Sequence, residues 1–209
     1  MKNKDKLIEG FRSFQKDYFG KERSLFDKLK QGQNPDIMVI GCSDARVDPA
    51  IMTNCSPGEI FTVRNVANLV PPYEKHGGQH GISAALEFAV CHLHVDAIVV
   101  LGHSQCGGIK ALKEGLHGCK GGGFITRWMS IASPALESLN AGAEGESVST
   151  ENLEKEAIAL SLGNLKTFPF IKSKLQSGEI SLHGWYFDLA KGGLYEYSEP
   201  DGAFVPLAE

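Results

Sequence analysis

The chain has 209 residues, 42% of them hydrophobic and 22% charged, the proportions of an ordinary globular protein with one sizeable core. A formal net charge of −4 removes the electrostatic reason to expect nucleic acid or an anionic membrane surface as partner. No apolar run has the length of a membrane span or a secretory leader, so the cytoplasm is the expected compartment. Five irregularly spaced cysteines there read as metal ligands or nucleophiles rather than as a disulfide framework.

Leu7, Phe11, Phe14 and Tyr18 recur at helical spacing and predict an amphipathic helix over about 4–19, with a second helix carrying Leu25, Phe26 and Leu29 before Gly32. Periodicity leaves open whether these helices cover the chain's own core or wrap around a partner. Residues 36–40 form an apolar run too short for a helix and predict a buried strand, and 59–63 predict a second strand after Pro57-Gly58. Ile82, Ala85, Leu86, Ala89, Val90 and Leu93 mark a helix over 81–93; Asp96 to Leu101 reads as the third strand, and Gly107-Gly108 opens a short helix to 116. Residues 117–123 are rich in glycine and 140–149 read as a polar loop. Thr150 is the expected cap of a helix over 151–166, and Pro169 suits the first turn of another. Ile180 to Leu189 is expected to be a late strand that turns at 191–193 into Leu194–Tyr197. Strands alternating with helices predict an α/β fold with a mostly parallel central sheet flanked by helices.

Two of these strands run into polar segments, Cys42-Ser-Asp-Ala-Arg46 and His103-Ser-Gln-Cys-Gly-Gly108. Ligands of open α/β sheets bind beyond the carboxyl ends of strands, which gives the two segments a reason to converge. Together Cys42, His103 and Cys106 offer two thiolates and an imidazole, a donor set suited to Zn2+. Three protein ligands leave one position open for water, which yields a hydroxide near neutral pH. Asp44 beside Arg46 stays ionised and oriented, and either aligns that hydroxide or takes the open position itself. Each segment alone is a weak signal, since a cysteine or a histidine can simply pack or cap.

At these residues the chain resembles the β-class carbonic anhydrases. Cys42-Ser-Asp-Ala-Arg46, Arg64-Asn-Val-Ala-Asn68 and Gly102-His-Ser-Gln-Cys-Gly-Gly108 match that family's hallmark segments in order, and the resemblance resumes at His183-Gly-Trp185. It implies one zinc per chain on Cys42, His103 and Cys106, with zinc hydroxide oriented by the Asp44–Arg46 pair for the reversible hydration of carbon dioxide. It implies further that Phe61, Val66 and Phe88 line an apolar substrate pocket, with Gly107 also at substrate, and that Gln33 reaches substrate across a dimer interface. The implied architecture is an N-terminal helical arm, residues 1–32, and a single zinc-enzyme domain, 33–209. The implied assembly is a homodimer or dimer of dimers, and the implied sheet is four parallel strands plus an edge strand. One subgroup of the family binds bicarbonate at a non-catalytic pocket through a Trp, an Arg and a Tyr. Only Arg64 is matched here, Val39 and Phe187 standing at the other two positions, so no such pocket is expected.

The remaining candidates carry less. Cys91 is expected in the core, Cys55 and Cys119 near turns, and His76 and His80 near the mouth of the site, where solvated loop histidines are the plainer reading. A related cumulene such as carbon disulfide, or a zinc protein without useful catalysis, are the competing readings. The Asp44, Arg46 and Gln33 set argues against the second of these.

Overall fold

The computed structural model describes residues 3–21, 23–75, 78, 80–115, 123–142 and 147–208. They belong to two compact units, Met1–Asn34 and Pro35–Glu209.

The first unit is helical. Helix α1 (Asn3–Lys16) widens into a π-type turn at Asp17–Lys21, and α2 (Arg23–Leu29) follows. The wider turn ends regular α geometry three residues before the periodicity predicts. It gathers four rings: Phe14 lies 4.8 Å from Tyr18 and 5.6 Å from Phe26, and Phe19 lies 4.6 Å from Phe26. Leu7 and Phe11 stay exposed on α1.

The second unit is built on a six-stranded sheet in the order β2-β1-β3-β4-β5-β6. Strands β1 (Ile37–Cys42), β2 (Ile60–Asn65), β3 (Ala97–His103) and β4 (Ser181–Phe187) pair in parallel. Strands β5 (Leu194–Ser198) and β6 (Ala203–Ala208) extend the sheet antiparallel from β4. The added edge is therefore a hairpin-linked pair, where one strand is expected. Pro206 hides β6 from a reading for strands, because proline lacks the N–H a ladder needs; it is tolerated here because β6 is the outermost strand.

Both strands that end in candidate metal ligands run further than predicted. Cys42 and His103 are the last residues of β1 and β3 rather than residues of the loops beyond them. The helices are α3 (Pro49–Met52), α4 (Gly81–Glu87), α5 (Gly107–Glu114), α6 (Phe124–Met129), α7 (Ser133–Gly142), α8 (Thr150–Leu165) and α9 (Pro169–Ser177). Helix α7 reaches into the segment expected to be a polar loop, and most of the glycine-rich segment, residues 117–122 of 117–123, lies outside the described residues. The cap of α8 is Ser149, whose hydroxyl accepts the Asn152 N–H at 3.0 Å, one residue before the expected Thr150. Cys91 is exposed, not in the core. It sits in a π-type turn, Phe88–His92, and the extra residue in that turn directs Ala89 and Val90 inward instead.

Helix α8 fixes the sheet. Its Ile158, Leu162 and Leu165 are buried with Met38, Ile40, Ile98 and Val100 in one core cluster. The helix approaches so closely that a Cβ on Gly102 would fall 2.6 Å from Ile158 Cδ1, and one on Gly184 2.8 Å from Ile158 Cγ2. The glycines of the Gly102-His and His-Gly184-Trp segments are thus packing requirements. Replacing Gly184 by valine is expected to destabilise the fold by about 1–3 kcal/mol through overpacking. Urea unfolding checks this, and a Gly184→Val chain as stable as the parent would contradict the close approach.

Candidate metal centre

The strand order β2-β1-β3 reverses direction between β1 and β3, and that switch point is where ligands of open α/β sheets bind. Gly41 pairs with Leu101, so Cys42 and His103 emerge side by side. Cys106 follows one turn later as the residue before α5. The ligand atoms of Cys42, His103 and Cys106 all lie within 4.8 Å of one another, and all three residues are buried.

The trio fits zinc on three observations. The two sulfurs are 3.9 Å apart, against about 3.8 Å for two thiolates on a tetrahedral ion with ordinary Zn–S bonds. His103 Nδ1 lies 2.8 Å from the Ser104 carbonyl, which makes Nδ1 the protonated nitrogen and leaves the Nε2 lone pair free. That Nε2 is buried with no hydrogen-bond partner among the described residues, an arrangement costly to maintain unless a ligand answers it.

Amide donors surround the sulfurs. The Asp44 N–H lies 3.4 Å from Cys42 Sγ, and the first amides of α5 at Gly108 and Ile109 face Cys106. The hydrogen bond from Cys106, aided by His103, pulls the Cys42 thiol well down. The same bond and burial push Cys106 up.

Asp44 and Arg46 form the bidentate pair that their spacing predicts. Arg46 Nε donates to Asp44 Oδ1 at 2.9 Å and Nη2 to Oδ2 at 2.7 Å, and the Arg46 amide adds a third bond at 2.9 Å. These bonds hold the Asp44 carboxyl well below the usual carboxylate range. Asp44 is not one of the clustered ligands: its Oδ2 stands 3.9 Å from His103 Nε2, facing the trio with its charge committed to Arg46.

Arg64 has a structural task. It donates to the carbonyls of Cys42, Asp44 and Val47 and to Asp48 Oδ2, at 2.7–2.9 Å, and so folds the loop after β1 back on itself. Asn65 clamps the following turn through both bonds to the Leu69 backbone. In that turn Ala67 holds φ 64, a strained value for a residue with a side chain. Val66 lies on this turn and packs against the α5 start, since a Cβ on Gly108 would come within 2.8 Å of it. Gly107 opens α5 with nothing within 4 Å of the Cβ it lacks.

The structure separates the other substrate candidates. Phe61 and Phe88 pack ring to ring at 5.9 Å. Phe61 pairs in register with Met38, four positions before Cys42, roughly 13 Å back along the strand. Within one chain they therefore stand apart from the trio. Gln33 is exposed in the first unit. His80 stands before α4, 3.8 Å from Glu74, whereas His76 and Cys119 lie outside the described residues. Sequence reasoning missed Glu154, a buried carboxylate on α8 that accepts the Cys106 N–H at 2.8 Å. Burial pushes its carboxyl upward. Its position on the stripe of Ile158, Leu162 and Leu165 was the available signal, a charged residue where the core face demands an apolar one.

Residues 37–194 match the carbonic anhydrase family. Beta carbonic anhydrase 3 of Arabidopsis thaliana is 36% identical over 193 residues, spanning 90% of this chain and 74% of that protein. The solved structure of the β-carbonic anhydrase CcaA superposes with a TM-score of 0.85 at 35% identity, covering 97% of this chain and 98% of that one. A tetrameric β-carbonic anhydrase of the ascomycete Sordaria macrospora matches with a TM-score of 0.72 at 27% identity, over 97% of this chain and 95% of that one. This chain belongs to the β-class carbonic anhydrases. No helix among the described residues is long and apolar enough to cross a membrane.

Cys42→Ser, His103→Ala and Cys106→Ser are each expected to lose zinc binding by at least about tenfold, because each removes one of three ligands. Metal analysis after dialysis against a chelator is the check, and full zinc retention by any one of them would remove that residue from the ligand set.

Proposed function

We propose that this chain catalyses the reversible hydration of carbon dioxide to bicarbonate and a proton, with zinc held by Cys42, His103 and Cys106. The observation that carries this reading is the Asp44–Arg46 pair: a carboxylate locked bidentately to a guanidinium, facing three metal donors without joining them. A structural metal site has no use for such a group.

Zinc in this site supplies a Lewis acid that brings the ionisation of water close to neutral pH. The chain's residues do the rest. Asp44, held ionised by Arg46, accepts the O–H of the attacking oxygen and so turns a lone pair toward the carbon. As the new C–O bond forms, one C=O π bond of carbon dioxide opens to give bicarbonate, and the proton leaves to solvent. Val66 and Gly107 border the trio and leave room for a small, uncharged substrate. Phe61 and Phe88 serve as pocket walls only if a second copy brings its pair to this site, and Gln33 belongs to the same contribution. An obligate homodimer, or a dimer of dimers, supplies that copy. The tetrameric relative supports such an assembly, and so does the exposed apolar face of α1. The readings that compete are hydration of a related cumulene and zinc binding without turnover.

Stopped-flow hydration of carbon dioxide by the zinc-loaded protein tests the proposal, and absence of turnover would refute it. Asp44→Asn is expected to retain zinc and lose roughly 10²-fold in kcat, because the amide donates where the carboxylate must accept. Its pH profile is equally diagnostic. Arg46 lowers the Asp44 pKa, so the group stays ionised as pH falls to the ordinary carboxylate range. An acid limb near neutral pH then belongs to another group, and Asp44→Asn should lower the plateau without moving that limb.

A separate expectation concerns residues 1–32. Their deletion is expected to yield monomer or aggregate in sedimentation, with activity lost because the pocket walls are no longer shared. A fully active monomer would show that one chain suffices.

A further inference from the structure

Glu154 is 4% exposed, and both of its oxygens are engaged. Oε1 accepts the Cys106 N–H at 2.8 Å, and Oε2 accepts the Tyr186 hydroxyl at 3.0 Å. The Cys106 N–H belongs to the same peptide unit as the Gln105 carbonyl. That carbonyl accepts from Arg46 Nη2 at 2.9 Å, and the same Nη2 donates to Asp44 Oδ2 at 2.7 Å. One rigid peptide plane is thus gripped at both ends, by an acidic side chain on its N–H and a cation on its C=O. The plane needs the grip: Gln105 holds φ 58, a left-handed conformation uncommon for a residue with a side chain, which persists only where its surroundings over-determine it.

We propose that Glu154 is a positioning residue that keeps Arg46 on Asp44. By fixing the Gln105–Cys106 peptide, it presents the Gln105 carbonyl to Arg46 Nη2. The half-exposed guanidinium then has two acceptors rather than one, and the carboxylate stays turned toward substrate and away from the metal. The line of bonds runs from Tyr186 through Glu154, the peptide and Arg46 to Asp44, with Glu154 accepting on both its sides and Arg46 donating on both of its own. Glu154 touches no substrate and acts only through this line. The inference rests on the catalytic reading of Asp44 and Arg46 given above, and it adds to that pair a buried residue on α8 and another on β4.

The test is a double-mutant cycle on kcat/KM of the zinc-loaded enzyme, accompanied by the crystal structure of zinc-loaded Glu154→Leu. Arg46→Ala is expected to lower kcat/KM by about tenfold or more, and Glu154→Leu by a comparable factor with one zinc per chain retained. In the Arg46→Ala background, Glu154→Leu should cost less than about twofold further, because the path it acts through is already cut. Glu154→Gln keeps an oxygen for the Cys106 N–H and should stay within about threefold of wild type. In the Glu154→Leu crystal, the Gln105 carbonyl should have turned from Arg46 and the bidentate pair should be broken. If that variant does not fold, Tyr186→Phe enters the same cycle with the same non-additive pattern expected. Independent, multiplying losses in the two backgrounds, or an intact Asp44–Arg46 pair in the variant crystal, would overturn the role of Glu154. Wild-type kcat/KM in Arg46→Ala would instead overturn the reading of the pair on which it rests.

Discussion

The site depends on one pairing, that of β1 with β3. Because Gly41 and Leu101 are partners in a parallel ladder, the chain leaves two adjacent strands at the same end of the sheet. Two residues far apart in sequence, Cys42 and His103, then present their side chains to one point without any loop having to reach. The pairing rests in turn on α8, whose Ile158 sits so close over Gly102 and Gly184 that no side chain fits between helix and sheet. Rigidity at the metal trio therefore originates in packing on β3 and β4, directly beneath His103. Both ligands at strand ends inherit the precision of the sheet rather than the mobility of a connection.

Charge is arranged around that point with little redundancy. Two thiols and three carboxylates, those of Asp44, Asp48 and Glu154, gather near the ends of β1 and β3, against the guanidiniums of Arg46 and Arg64. Arg64 is spent on three carbonyls and Asp48, closing the loop that carries Asp44. Arg46 is spent on Asp44 and the Gln105 carbonyl. The two arginines thus act at different levels: one shapes the backbone that presents the carboxylate, and the other sets the carboxylate's charge and direction. Between the two sulfurs, the mutual hydrogen bond pulls the Cys42 thiol down and pushes Cys106 up.

Much of this was legible in the sequence because the informative residues sit where local rules are strict. A short apolar run followed by Gly41 or Gly102 marks a buried strand end, and Cys, His and Asp just beyond it have few structural excuses. The strand ends lie two residues further on, at Cys42 and His103, since nothing local says whether a candidate ligand belongs to the strand or to the turn. Strand β6 was hidden by Pro206, whose local meaning is reversed by its place at the edge. Cys91 was placed in the core on a 3.6-residue period, which the π-type turn at Phe88–His92 does not obey. Glu154 was overlooked because its partners, the Cys106 amide and the Tyr186 hydroxyl, are brought to it only by the fold. Phe61 and Phe88 were named from resemblance, and register explains why a single chain does not bring them to the trio.

The fate of Arg64 bears on regulation as much as on structure. An anion docking beside it would have to displace carbonyl acceptors, because four of its five N–H donors are already committed. Val39 and Phe187, at the positions where a subgroup of the family places polar partners for bicarbonate, pack instead with Val99, Leu101 and Trp185 in an apolar cluster. An anion there would shed its hydration with one donor in return, and the loop holding Asp44 would lose the bonds that shape it. No gain offsets that loss. Arg46, bonded to both Asp44 and the Gln105 carbonyl, keeps the Asp44 carboxylate paired beside the three clustered donors rather than among them. Two faces of the same loop are thus held differently, by Arg64 with most of its donors committed to the backbone and by Arg46 with two good acceptors, Asp44 and the Gln105 carbonyl.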